Sequence, residues 1–477
     1  MKKPVMKERR LDRRTVLGMG LAALCAWSTS AFANTTPASS QLVPEYQRVE
    51  LGNGLTLLLL EHHELPLVDF QFVFRTGSIT DPPGQEGLAD LTMSLLRKGT
   101  RKYTAEQIAE ELDFLGARMD LGASYEMCTL NAQFLAKDVD AGLQLIANLL
   151  LHPTFPEDEV RKRIDLNVDS IVEDKDNPRR VIGTYFSSFL FRGHAFGRSV
   201  GGTEESLRAI SRGDILRFHT SFLRPNNAIL AVAGDFDSQS MRALIQSALG
   251  SWESRSVTRG NVTPPKPAAG QQVLVVDKPG SAQTYFRIGN LGTRKGNDDT
   301  AVLDVVNTVF GGRFTSWLTN EMRTKAGLTY NAHSRFIERS VPGPFYISSF
   351  TQTETTEKTI DLALELLERL HQKGLSQEEL DSAKNYIRGQ FPPGYETAGE
   401  LAHAIAELEF YGLDRGYVND HTRKTDAVTV EQARAAIEKY YPRKDWVLVM
   451  IGEAGDIASV ATKYGVVRQK KVSDPGF

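Results

Sequence analysis

The chain has 477 residues, 41% of them hydrophobic and 24% charged, with 56 Lys/Arg against 59 Asp/Glu. That length carries two or more domains and a large core, and a formal net charge of −3 leaves no basic excess of the kind that holds nucleic acid. Two cysteines are too few for disulfides to organise a fold of this size.

Residues 1–33 read as a secretion signal: basic residues through Arg14, an apolar run from Val16 to Trp27, and Ala31-Phe32-Ala33 as a small-x-small cleavage site. The run is too short to span a membrane, and no stable membrane anchor is expected from any later segment. Asp12-Arg13-Arg14-Thr15-Val16-Leu17 has the form of a twin-arginine signal, so export to a bacterial periplasm is expected by that route or by Sec. Cleavage removes seven Lys/Arg and two Asp/Glu, which leaves 49 basic against 57 acidic residues, a net charge of −8. Nucleic acid is then a still poorer partner, and Cys128 is the one cysteine left.

Residues 34–44 form a loose polar leader. Val49 to Leu60 reads as a hairpin about Asn53-Gly54, and Val68 to Phe74 as a half-buried strand. Gly87 to Leu96 is helical, Thr104 and Gln107 form a capping box for a helix ending at Gly116, and Arg118 to Phe134 gives two strands. Asp138–Leu151 and Pro156–Asp174 are helical, and Ala228–Ala233 is a buried strand before Gly234-Asp235. A stiff linker follows at 256–270, with Pro264-Pro265-Lys266-Pro267 at its centre.

Beyond the linker the pattern restarts. Gln272–Val276 and Gln283–Gly289 read as strands, Thr300–Val309 and Trp317–Arg323 as helices, and Thr329–Phe336 as a strand. Thr356–Gln372 matches Asp138–Leu151. Ser376-Gln377-Glu378-Glu379-Leu380 matches Pro156-Glu157-Asp158-Glu159-Val160, and Trp446–Ile451 matches Ala228–Ala233, at offsets of 220 and 218 positions. A period that long indicates a duplicated domain. The fold class expected is α+β: two homologous domains, 45–255 and 271–470, each a mostly antiparallel sheet with helices packed on it, joined by the Pro-rich linker.

Several stretches carry a family likeness. They are Glu64-Leu65-Pro66, the frame Gly87-Leu88-Ala89-Asp90 through Lys98-Gly99-Thr100, His194-Ala195-Phe196-Gly197-Arg198 with Gly202-Thr203, Arg224-Pro225-Asn226-Asn227, and Arg323-x-x-x-Gly327-Leu328-x-Tyr330. Together they make the chain, over roughly 45–460, resemble the pitrilysin and mitochondrial-processing-peptidase (inverted zincin) family. In that family the frame reads G-L-A-H-x-x-E-H, with two His one helical turn apart as zinc ligands and Glu as general base. Here Asp90, Met93 and Ser94 stand in those places, and Asp169-Ser170 stands where the third ligand is expected. A thioether shuttles no proton and a neutral hydroxyl is a poor zinc ligand, so the likeness implies a packed helix and no metal or cofactor bound by this chain. A harder cation between Asp90 and Asp169 is the weaker reading.

The rest of the likeness bears on what the chain keeps. Among nine His the one close pair, His62-His63, would point to opposite faces of a strand, and His194 reads as a structural hydrogen-bonding residue. Arg323 and Tyr330 match a family pair that binds substrate backbone and the developing oxyanion at a zinc site formed by another domain. Gly122-Ala123-Ser124 resembles the family's edge strand, where a peptide substrate adds by backbone hydrogen bonds. The function implied is the non-zinc subunit of a heteromeric periplasmic zinc metallopeptidase, inactive alone. Its partner would be a homologous subunit with an intact His-x-x-Glu-His motif, which holds the zinc. A catalytically silent scaffold or peptide-binding protein of the same fold is the alternative.

Overall fold

The longest apolar runs become strands, and the most apolar of these lie at the centre of two sheets. The computed structural model describes residues 41–258, 260 and 262–477, so the expected signal and most of the leader lie outside the described residues. In the first half, β1 (Gln47–Glu50), β2 (Thr56–Glu61), β3 (Leu67–Phe74), β4 (Arg118–Ala123), β5 (Cys128–Leu135) and β6 (Ala228–Gly234) form one sheet in the order β1-β2-β6-β3-β5-β4. In the second, β7 (Gln271–Asp277), β8 (Gln283–Leu291), β9 (Ala332–Phe336), β10 (Pro344–Gln352), β11 (Trp446–Gly452) and β12 (Val466–Lys471) are ordered β12-β7-β11-β8-β10-β9.

The duplication is legible in those orders. Strands β2, β6, β3, β5 and β4 correspond in position to β7, β11, β8, β10 and β9. The outermost strand differs, since β1 runs antiparallel to β2 whereas β12 runs parallel to β7. Both sheets are mixed: β2 with β6 and β7 with β11 are parallel as well. Strands β6 and β11 are buried along their whole length, as expected for continuous apolar runs covered on both faces.

The helices through residue 411 are α1 (Leu88–Leu95), α2 (Ala105–Phe114), α3 (Val139–Leu151), α4 (Glu157–Lys175), α5 (Pro178–Leu190), α6 (Glu204–Arg208), α7 (Arg212–Phe222), α8 (Ser238–Leu249), α9 (Thr300–Asn307), α10 (Thr356–Lys373), α11 (Gln377–Gln390) and α12 (Ala398–Tyr411). Thr104 and Gln107 cap α2 reciprocally, as their spacing predicts, and Ser376 with Glu379 does the same for α11. The described residues of 256–270 lie in no helix or strand, and His194 Nε2 lies 2.8 Å from the Thr263 carbonyl of that segment.

One feature escapes the sequence. Helix α5 leaves its own half and packs on β8 and β11 of the second sheet, burying Val181, Ile182, Tyr185, Phe186, Phe189 and Leu190. Helix α12, which starts at the position 220 residues later, packs on β3 and β6 of the first sheet through Leu401, Ile405 and Leu408. Each half thus supplies the cover for one face of the other half's sheet.

Candidate functional site

Helix α1 carries the frame of a metal helix. Its N-cap, Gly87, has φ +97, and a Cβ there would approach the Gly201 carbonyl carbon to 3.1 Å, so glycine is required. The cap is completed from outside the helix. Buried Asp81 accepts hydrogen bonds from the backbone N–H of Gly87 at 2.9 Å and of Ala89 at 3.0 Å. Burial pushes the Asp81 carboxyl up to about 7 against the pull of those donors. No pattern in the sequence marked Asp81, because it acts from a preceding loop.

The three motif positions on α1 are structural. Met93 is 0% exposed within the first hydrophobic core, and the Ser94 hydroxyl donates to the Leu91 carbonyl at 2.9 Å. Asp90 Oδ1 accepts the N–H of Ala123 at 3.2 Å, and burial raises its carboxyl against the influence of Arg163 on α4. Asp169 and Ser170 are exposed on α4. The donor set therefore does not suit zinc: a buried thioether, a hydroxyl spent on its own helix and a carboxylate facing an arginine. Among the described residues no group of three or more His, Cys, Asp or Glu could hold a metal ion.

Strand β4 is the edge of the first sheet, and Gly122 and Ala123 end it; Ser124 lies in the following hairpin. Ser124 N–H bonds back to Met127 across that hairpin, so the Ala123 N–H points outward, where Asp90 takes it. The outward Met119 carbonyl accepts from Arg97 Nη1 at 2.8 Å. The second sheet repeats the device at its own edge. The carbonyls of Ala332 and Ser334 on β9 accept from Thr319 Oγ1 and Asn307 Nδ2. Both edges are thus partly occupied by side chains of the neighbouring helical segments.

Arg323 and Tyr330 meet in one cleft of about 380 Å³, lined also by Gln283, Phe350, Gln352 and Thr355. The expected helix is present, and the strand starts later than expected. Residues 317–318 are α-helical and Thr319–Lys325 continues them as a π-helix, while β9 begins at Ala332, two residues after Tyr330. Thr329 Oγ1 accepts the N–H of Asn331 at 3.1 Å, and this side-chain turn delays the strand. The Thr351 hydroxyl donates to the Leu328 carbonyl at 2.7 Å and that of Ser349 to the Asn331 carbonyl at 2.9 Å, which ties the segment to β10. Tyr330 is 79% exposed, and half-buried Arg323 lies over the ring of Phe314, itself 69% exposed, at 4.8 Å. No carboxylate pairs with Arg323 among the described residues. A cation over one exposed aromatic ring, with a second exposed ring lining the same cleft, is suited to an extended peptide and to charge that develops on its carbonyl. Phe314 lies too far from the Arg–Tyr motif to have been found by spacing.

The chain matches two family models. Residues 57–204 match the insulinase model of peptidase family M16, and residues 209–387 match the model described as the peptidase M16 inactive domain. An uncharacterized zinc protease of Mycobacterium leprae is 28% identical over 365 residues, covering 75% of this chain and 81% of that protein. One from Bacillus subtilis is 23% identical over 413 residues, covering 87% and 100%. Among solved structures, a peptidase M16 inactive domain from Pseudomonas fluorescens superposes with a TM-score of 0.81 at 26% identity, over 86% of this chain and 98% of that one. The periplasmic protease PqqL of Escherichia coli shares the fold, with a TM-score of 0.71 at 16% identity, over 88% of this chain and 50% of its own.

Proposed function

The chain belongs to the M16 peptidase family, and on that premise we propose that it is the non-zinc subunit of a heteromeric zinc metallopeptidase that acts on peptides in the periplasm. The partner is a homologous chain with an intact His-x-x-Glu-His helix; its zinc supplies the Lewis acid and the activated water. This chain supplies Arg323 and Tyr330. The guanidinium and the phenol hydroxyl bind substrate backbone and stabilise the oxyanion as water adds to the scissile carbonyl. The observation that carries the reading is the contrast between the two sites. The metal-helix positions are absorbed into packing and edge-strand bonds, whereas Arg323 and Tyr330 stay open to solvent in one cleft with no internal ion pair.

Reconstitution with the zinc-binding homologue tests this. The chain alone should leave peptides intact, with or without added zinc. In the complex, Arg323→Ala and Tyr330→Phe should each lower turnover by about 10²-fold, the scale of one lost oxyanion donor, with zinc content unchanged. Turnover unaffected by either change would make the chain a scaffold.

A further inference from the structure

The face of the second sheet that receives α5 changes character across its width. Over β7 and β11 it is apolar and covered by Val181, Ile182 and Phe186 of α5. Toward the β9 edge the same face becomes cationic. The register places Arg287 of β8, Ser348 of β10 and His333 of β9 in one row, with Tyr346 and Arg335 in the next row along the strands. Residues two apart share a face, so these side chains converge.

The side-chain geometry agrees. The Arg287 guanidinium lies over the Tyr346 ring, 4.2 Å from its centroid, and His333 meets the same ring edge-on at 6.1 Å. On the other side Arg287 abuts Gly183 of α5, where a Cβ would come within 2.8 Å of Nη1. Arg179 is one turn earlier on that helix face. The charges acting on His333 come from Arg335, Arg287 and Arg179, all positive, and together with burial they hold its pKa down at about 4.

What is missing is a counter-charge. Among the described residues no carboxylate pairs with Arg179, Arg287 or Arg335, and the buried Nε of Arg287 has no hydrogen-bond partner. The acids nearest in sequence to Arg179 are engaged elsewhere: Asp174 with Arg180 at 2.8 Å and Asp176 with Lys278 at 3.4 Å. Gathering like charges around a half-buried guanidinium is costly, and one tyrosine ring offsets only part of that cost. A planar anion would satisfy the guanidinium donors in the paired geometry that arginine favours.

We propose that this cluster is a carboxylate-binding site for peptides, which holds an acidic side chain or a C-terminal carboxylate of a segment lying across the β8–β10–β9 face. The inference rests on the reading of the chain as a peptide-binding subunit and gives its ligand a chemical class. The net negative charge of the chain disfavours an extended polyanion, whereas a single carboxylate fits a cluster of this size.

The test is binding of fluorescein-labelled short peptides to the isolated chain, read by anisotropy. One peptide carries an internal Glu and an amidated C-terminus. A second carries Gln in its place and a free C-terminus, and a third has both groups neutralised. At least one of the first two should bind about tenfold more tightly than the third, and which one does so identifies the source of the carboxylate. The double variant Arg179→Ala/Arg335→Ala, both residues exposed, should abolish that roughly tenfold preference. Its circular dichroism spectrum and melting temperature should stay unchanged. Equal binding of all three peptides, or a preference that survives the double variant, would overturn the proposal. Because the readout is binding by the chain alone, it is independent of whether Arg323 and Tyr330 assist a partner's zinc.

Discussion

Phe186→Ala removes a ring that belongs to the first half by sequence and to the second by packing. Phe186 is fully buried on α5 and packs edge-to-face on Tyr346 of β10, with ring centroids 6.0 Å apart. Truncating a buried phenylalanine costs about 3–5 kcal/mol, and the aromatic pair accounts for about 0.5–1.5 kcal/mol of the ring's contribution. With zero exposure and a rigid strand beneath, a loss of about 4 kcal/mol is expected. Urea unfolding followed by tryptophan fluorescence resolves where that loss is felt. Trp252 packs on Phe74 in the first core, and Trp446 lies buried in β11 of the second. In variants that keep Trp252 or Trp446 and have Trp317 and the other one replaced by Phe, both probes should report the same destabilisation, because each sheet borrows its cover from the other half. A shift confined to either probe, or a loss under about 1 kcal/mol, would refute the reasoning.

Two further outcomes are expected. Burial holds the His219 ring neutral down to about 4, with Nε2 2.9 Å from the Leu150 carbonyl, whereas the unfolded chain protonates near 6.5. Its contribution is therefore present above pH ~6.5 and is lost as the pH falls toward 4, by up to about 3 kcal/mol. His219→Gln should flatten that part of the stability profile measured by thermal melts, and an unaltered profile would count against it. Asp90→Ala should cost about 1–2 kcal/mol and speed hydrogen exchange at the Ala123 amide, whose outward N–H then lacks its acceptor. Unchanged exchange at that amide would show that the carboxylate does not hold the edge.

Local chemistry made much of the fold legible. The capping pairs at Thr104–Gln107 and Ser376–Glu379 announce their helices because a capping box joins residues three apart. The runs at β6 and β11 declare central strands because only a strand covered on both faces can be so uniformly apolar. The exchange of α5 and α12 was not legible. An amphipathic helix records that it has a buried face, but not which sheet that face meets. The start of β9 was misplaced because the Thr329 side-chain turn competes with strand formation. Arg323 and Tyr330 could be read as a pair because one short segment carries both. The cluster around Arg287 draws on α5, β8, β9 and β10, and only the register of three strands brings it together.

The packing of helix α1 works against the introduction of zinc ligands. Restoring Glu at 93 would place a carboxylate in the fully buried position that Met93 fills, at a cost of several kcal/mol on the scale of an unpaired buried charge. Restoring His at 90 would release the Ala123 amide, and His at 94 would still face no third ligand while Asp169 stays exposed on α4. The changes at 93 and 90 thus lower stability, and no single change completes a ligand set. On the proposed reading, peptide hydrolysis then depends on a partner chain that holds the metal, because this helix is committed to packing.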